Sequence, residues 1–201
     1  MKLEFKKLSA ENIEGLSKYY GKRHDQTCDS VILDNFLWAD YYHVHYAIVG
    51  DKALLWKMNI FGKRYGALPV CAMEDMRECF DMLEAHFNEE LGLPLEIYLA
   101  DEPAVEYLRL PEERYSVTEL PDSRDYLYEY RTLCCSDSHD VWVFLDRWRE
   151  GKGQQVEGHL DYEVAGIHEI LRNCSILNVR MGGIYVEDKL EAFSIGSYND
   201  V

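Results

Sequence analysis

Hydrophobic and polar residues alternate in a way that divides the first two thirds of the chain into short strands and helices. Residues 3–8 alternate between apolar and polar side chains, which is typical of a strand. A helix is predicted over 13–20, with Ser9 as its N-cap, Asn12 in the Glu/Gln position of an imperfect capping box, and Gly21 at its end. The helical spacing of the apolar residues in 31–42 predicts a second helix.

Three short strands and a long helix are predicted next. The strands cover 45–49, 53–60 and 65–70, and the tight breaks between them favour an antiparallel meander. The apolar face of 74–91 predicts the longest helix, which Gly92 and Pro94 end. The pattern then predicts a strand over 95–99, a helix over 102–110, and strands over 115–119 and 126–130. A βαβ step inside an otherwise antiparallel sheet requires a mixed sheet, so the fold class is α/β, of the α+β kind.

The character of the sequence changes after residue 130. Residues 133–140 are polar and predict a linker, and helices are predicted over 141–149 and 162–172, with a loop over 150–155. A hairpin is predicted over 179–196, with strands over 179–186 and 190–196. We therefore expect a complete domain over 1–132 and only the start of a second domain over 133–201.

The predicted order of elements resembles the GNAT acyltransferase fold, with the opening of a second copy after residue 133. Two stretches narrow the resemblance: Cys28-Asp29 followed by Asn35-Phe36-Leu37-Trp38-Ala39-Asp40-Tyr41-Tyr42, and Gly182-Gly183-Ile184-Tyr185-Val186 leading into Glu191-Ala192-Phe193-Ser194-Ile195-Gly196. Together they resemble the phosphatidylglycerol lysyltransferase C-terminal-domain-like family, tandem GNAT-like proteins of bacteria. The resemblance implies a mostly antiparallel mixed sheet flanked by helices, and a truncated or degenerate member, because the family's basic segment after 126–130 and the rest of its second domain are missing.

The charge of the chain restricts its partners. Its 201 residues carry 37 acidic and 21 basic side chains, a formal net charge of -16. Such a surface repels nucleic acid and anionic lipid headgroups, so we expect small molecules or proteins as partners and no nucleic acid. No signal peptide or spanning apolar run is evident, so we expect no integral membrane segment. Six cysteines without a regular spacing indicate reduced thiols in a cytoplasmic protein.

The turn after the fourth predicted strand bears on the acyl donor. In the fold that this sequence resembles, that turn offers backbone N–H groups to the pyrophosphate of coenzyme A and is usually rich in glycine. Here the turn is Cys71-Ala72-Met73-Glu74-Asp75, without glycine and with two carboxylates that repel a pyrophosphate. We therefore predict no cofactor for this chain. Acyl-CoA would bind only if the missing part of the second domain were supplied.

Two groups of residues are candidates for substrate binding. Trp38 and Tyr42 form an aromatic row with Tyr41, which fits a core or an interface and could also line an acceptor cleft. Ser194, Tyr198 and Asn199 lie at or just after the third strand of the second copy, and the family resemblance implies that this strand borders the acyl cleft. The alternative for them is ordinary polar residues at a strand end.

Other chemical constellations are weaker. His43 and His45 could face one side of a strand and bind a metal, and Cys134-Cys135 with His139 suggests a metal knuckle. Solvent-facing histidines and linker thiols are the preferred interpretations, because adjacent cysteines chelate poorly and no second pair follows. Cys28, four residues after His24, lacks the base and oxyanion site of a nucleophile, so a semi-buried thiol is preferred.

Two functions remain open on the sequence. The resemblance implies an acyl- or aminoacyltransferase that lacks full activity as this chain, with unknown catalytic residues. The alternative is a non-catalytic binding or scaffold module. An incomplete sheet exposes an edge, so the 179–196 hairpin would pair with another copy or with a partner protein.

Overall fold

The computed structural model describes residues 2–22, 31–98, 100–120, 138–152 and 158–197. Its strands are β1 (Lys6–Lys7), β2 (His45–Val49), β3 (Ala53–Ile60), β4 (Lys63–Gly66), β5 (Val70–Cys71), β6 (Val179–Val186) and β7 (Lys189–Ser197). Its α-helices are α1 (Ala10–Tyr20), α2 (Ile32–Leu37), α3 (Met76–Ala85), α4 (Glu102–Leu108), α5 (Ser138–Lys152), α6 (His159–Arg172) and α7 (Cys174–Leu177). A 3₁₀ turn (Met73–Asp75) precedes α3 and a π-helical turn (His86–Glu90) follows it.

Helix α1 begins with the predicted cap. The Ser9 N–H donates to Asn12 Oδ1 at 3.1 Å, and the Ser9 hydroxyl donates to the same oxygen at 2.9 Å. Asn12 therefore fills the role that Glu or Gln has in a capping box. The helix buries Ile13, Leu16, Tyr19 and Tyr20 against the sheet and ends before Gly21, as predicted.

The first sheet is antiparallel in the order β1-β2-β3-β4, and β5 also pairs with β3. The strand predicted over 65–70 is two strands. Lys57 pairs with Gly66 and Leu54 pairs with Val70, so the two residues between them on β3 face three residues, 67–69. This is a bulge, and Pro69 within it has no N–H to donate to the ladder.

One parallel bridge makes the sheet mixed. It joins Gly66 to Ile97, and the Gly66 N–H donates to the Glu96 carbonyl at 2.8 Å. A Cβ at Gly66 would lie 2.8 Å from Leu95 Cδ1 and 3.0 Å from Leu83 Cδ2, so any larger residue here would push these two side chains aside. The predicted mixed α+β fold is confirmed, but the strand predicted over 95–99 is reduced to this bridge.

Several predicted boundaries were wrong. The helix predicted over 31–42 ends at Leu37, and turns continue to His43, which has a positive φ of 47°. The segment 115–119 is not a strand, because Tyr115 packs on Phe80 and donates to Glu84 Oε1 at 2.8 Å across α3 instead of pairing with a strand. Helix α5 includes residues predicted as linker and as loop. The strand predicted over 126–130 lies outside the described residues.

Helices cover both faces of the first sheet. On one face, a core cluster joins α1, α2 and the sheet to Ile170, Leu177 and Val179 from the C-terminal third. On the other face, a second cluster lies under α3 and α4. A third cluster joins α5 and α6 to β7. The predicted boundary at residues 132 and 133 lies outside the described residues, and the segments on its two sides share the first cluster.

Candidate functional site

The β6–β7 hairpin carries the predicted site residue Ser194, which lies opposite Gly182. The register shifts near the turn: Ile184 pairs with Ala192, whereas Tyr185 pairs with Leu190, so Glu191 is an extra residue in β7. This bulge changes the side to which the following residues point. Leu190 is buried before it; after it, Phe193 and Ile195 pack against the third core cluster while Ala192, Ser194 and Gly196 are exposed.

Helix α5 covers one face of the hairpin and holds the beginning of β7. The rings of Phe144 and Phe193 meet edge to face, with centroids 5.3 Å apart. Arg147 Nη2 donates to the Leu190 carbonyl at 2.6 Å and lies 3.6 Å from Glu191 Oε1. A backbone acceptor at the start of β7 is therefore already in use.

The turn end of the hairpin is exposed to solvent, and the hairpin as a whole has a small net charge. Ile184 is 65% exposed, and Val186, two residues further along the same strand, is 55% exposed, so the two form a small exposed apolar patch. Within the described ranges, no third strand pairs with β6 or β7. Residues 179–197 carry two basic and three acidic side chains, and 192–197 carry none, although the whole chain has a net charge of -16.

A second group of residues forms a cluster of aromatic rings, which we call the aromatic cluster: Trp38, Tyr41, Tyr42, His159 and Tyr162. Trp38 stacks on His159 with centroids 4.6 Å apart and an interplanar angle of 30°. Tyr41 meets His159 at 5.1 Å and 90°, and it lies 5.2 Å from Tyr162. Burial raises the pKa of the Tyr42 hydroxyl, and the nearby Tyr41, Tyr98 and Asp34 raise it further.

The aromatic cluster brings together the predicted Trp38 and Tyr42 but not Ser194, which lies on β7. Tyr198 and Asn199 lie outside the described residues. Sequence reasoning missed His159 because the helix was predicted to begin at residue 162. The spacing of His159 and Tyr162, three residues apart, was the available signal, because such residues share one helix face. The aromatic cluster joins the turn after α2 to the first turn of α6, and its rings contact one another directly.

The turn before α3 has the acidic character that was predicted. Glu74 is exposed, and Lys52 lies 3.4 Å from Asp75 Oδ1 and 2.7 Å from Glu78 Oε2. The hydrogen bond that Lys52 donates to Glu78 is the main reason that the pKa of Lys52 is raised. Two carboxylates therefore share one ammonium group beside the exposed Glu74, where a phosphate-binding turn would need an excess of positive charge.

Two histidines with little solvent exposure were not predicted as special. His86 lies on the π-helical turn, stacks on Phe5 at 4.7 Å, and contributes to a cavity of about 160 Å³ that is also lined by Leu3, Met82, Ala85, Glu89 and Glu90. Its Nδ1 is 3.2 Å from Glu90 Oε2 but lacks hydrogen-bond geometry. Burial is the main reason that the pKa of His86 is lowered, and the positive charge of Lys57 adds to it.

His168 is the second of these histidines. It stacks on Trp142 at 4.2 Å with nearly parallel rings, and its Nε2 lies 3.9 Å from Asp146 Oδ1. Burial lowers its pKa, although Asp146 opposes the shift. No sequence pattern distinguishes either histidine from an exposed one, because burial depends on which elements pack over the ring.

The metal and nucleophile alternatives that the sequence raised but did not favour have little support among the described residues. His43 is exposed, and His45 Nδ1 lies 2.6 Å from the His43 carbonyl oxygen. No group of three or more potential metal ligands occurs in the part of the chain that the structure describes. His24, Cys28, Cys134 and Cys135 lie outside that part, and His139 is exposed on α5. None of the described helices is long and apolar enough to span a membrane.

These elements define the class of the protein as an α+β fold: an antiparallel sheet with one parallel bridge between helical layers, and a separate hairpin. No protein-family model matches the sequence. No curated protein matches it either. The structure is similar to the crystal structure of a conserved protein of unknown function from Bacteroides thetaiotaomicron VPI-5482, with a TM-score of 0.76 and 15% identity over 97% of this chain and 75% of that one. At this identity the similarity shows the fold alone.

Proposed function

We propose that this chain is a non-catalytic module that associates with a second copy of itself through the outer edge of β7. The observation that most supports this proposal concerns β7. This nine-residue strand has β6 on one side and, among the described residues, no strand on the other. An open strand edge presents unpaired N–H and C=O groups, and a matching strand satisfies them best.

The charge distribution supports a second copy as the occupant. Two molecules with a net charge of -16 repel each other over most of their surfaces, so contact is least costly where charge is low. Residues 192–197 carry no charge and contain no proline, and charged residues and proline are both used to block strand edges. The neighbouring exposed Ile184 and Val186 add apolar surface that a partner would bury.

A transferase function, which the family resemblance implies, stays a prediction with less support. The turn before α3 carries Glu74 and Asp75, and Lys52 is the cation that lies beside Asp75 and Glu78, so a pyrophosphate would meet net negative charge there. Ser194, which would border the acyl cleft, lies on the exposed face of a hairpin with which no other described strand pairs.

The test is size-exclusion chromatography with light scattering on two matched variants. Ser194→Lys places a charge in the middle of the open edge, and Ser175→Lys makes the same change at an exposed position of α7. We expect the wild type and Ser175→Lys to dimerise with rising concentration and Ser194→Lys to stay monomeric, because an edge lysine resists strand pairing. Equal behaviour of the two variants would show that the edge is not the contact.

A further inference from the structure

The side chains along β7 restrict how two copies can pair. We infer that the β7 strands pair antiparallel about a two-fold axis at Ser194, so that Phe193 lies opposite Ile195 of the second copy and Ala192 lies opposite Gly196 of the second copy. This inference rests on the proposed self-association and specifies its register.

The first restriction comes from symmetry. Facing residues of an antiparallel pair point to the same side of the sheet, and side chains alternate along a strand with a period of two. A two-fold axis perpendicular to the sheet exchanges the copies without exchanging its faces. Two residues that face each other across the interface therefore both have odd numbers or both have even numbers. The two-fold axis must accordingly lie where one residue of β7 faces the same residue of the second copy, and not at a peptide bond.

The second restriction comes from the beginning of β7. Glu191 is the bulge residue, and the Leu190 carbonyl already accepts a hydrogen bond from Arg147. Ser197 already takes part in another interaction, so regular pairing is available to 192–196, within the uncharged part of the strand. Within those five residues, an axis at Ser194 allows all five to pair, and every other axis allows fewer.

The third restriction comes from the face of β7 that α5 covers. An axis at Ser194 places the aromatic ring of Phe193 opposite the β-branched Ile195 twice, once on each side of the axis. An axis at Ile195 places Phe193 opposite Ser197 instead. Aromatic and β-branched residues are a favourable cross-strand pair, and both side chains already face the apolar cluster under α5. The Ser194 register therefore buries more apolar surface.

Ala192 and Gly196 offer a direct test of the register because they face each other only with the axis at Ser194. Both are exposed, and a Cβ at Gly196 would meet no atom within 4 Å. Side chains can therefore be added at both positions without disturbing the hairpin. Gly196 pairs with Arg180 of the same hairpin, so a glutamate at position 196 is also electrostatically tolerated within one copy.

The experiment compares the dimer dissociation constants of Ala192→Lys/Gly196→Glu and Ala192→Glu/Gly196→Glu by sedimentation velocity. In our register the first variant forms two opposite-charge pairs across the interface and the second forms two like-charge pairs. We expect the dissociation constant of the second to be at least about tenfold higher than that of the first, because two attractive cross-strand charge pairs are replaced by two repulsive ones. Thermal unfolding checks that both variants fold.

Net charge is controlled separately. Ser175→Lys/Gly196→Glu and Ser175→Glu/Gly196→Glu have the same charge difference away from the edge, and we expect their dissociation constants to agree within about twofold. If the wild type dimerises and the two Ala192 variants differ no more than the Ser175 variants, the register is wrong and the proposed function stands. If the wild type remains monomeric, both fail.

Discussion

Gly166 of α6 lies directly against the Leu37 carbonyl oxygen at the end of α2. A Cβ at Gly166 would overlap that oxygen and would also lie 2.9 Å from Leu37 Cδ1. The two residues join the C-terminal third of the chain to the first sheet, and the aromatic cluster continues the same contact from Trp38 onward.

Gly166→Ala should therefore destabilise the protein, although alanine favours helices more than glycine does. The overlapping atom belongs to the backbone and cannot rotate away, so we expect a net loss of about 1–3 kcal/mol in the free energy of unfolding. Gly15→Ala is the matched control, because the helical Gly15 of α1 has no atom within 4 Å of a Cβ. Urea unfolding should show that Gly15→Ala raises the free energy of unfolding by up to about 1 kcal/mol.

The stacking of Trp38 on His159 should appear as a coupling free energy. We expect a double-mutant cycle of Trp38→Leu and His159→Ala to give about 0.5–1.5 kcal/mol, the range for aromatic pairs. A cycle of Trp38→Leu with His139→Ala, which removes an exposed histidine of α5, should give a coupling near zero. Equal coupling in both cycles would mean that the stack does not stabilise the fold.

The stability of the protein should fall between neutral and mildly acidic pH. The pKa of His86 is lower in the folded state than in the unfolded state, because the buried ring resists protonation. The contribution of His86 to the free energy of unfolding is therefore fully present above the ordinary histidine pKa of about 6.5. It is lost as the pH falls through that value toward the lower pKa that His86 has in the folded state. His168 has a lowered pKa as well and acts in the same direction.

His86→Phe should flatten that pH dependence. The quantity to compare is the difference in free energy of unfolding between pH 7.5 and pH 5, since the substitution also changes packing at all pH values. His139→Gln serves as the control and should keep the wild-type difference. If the free energy of unfolding of His86→Phe depends on pH as steeply as that of the wild type, a group other than His86 causes the pH dependence.

The acidic turn before α3 predicts that acetyl-CoA does not bind these 201 residues at micromolar concentration. The reason is the repulsion between the pyrophosphate and Glu74 with Asp75, which Lys52 only partly offsets. Calorimetric titration measures this directly. Micromolar binding that Glu74→Gln/Asp75→Asn strengthens would locate a donor site at this turn, contrary to our account.

Local signals made much of the fold predictable. The hairpin was predicted to within one residue at each end, since the polar Glu187-Asp188-Lys189 turn separates two apolar runs and the structure gives Glu187 and Asp188 positive φ values of 52° and 62°. The break between β4 and β5 follows from Pro69, a visible signal that the prediction of one strand over 65–70 ignored. The aromatic cluster was only half predictable, because Trp38 and His159 are distant in sequence and meet through tertiary packing.

Sedimentation equilibrium of the wild-type chain over a wide concentration range tests the central claim most directly. At an ionic strength that screens the charge of -16, our account predicts that the average mass rises from that of one 23.5 kDa chain toward twice that value as concentration increases. A mass that stays at 23.5 kDa up to millimolar concentration would contradict self-association through β7.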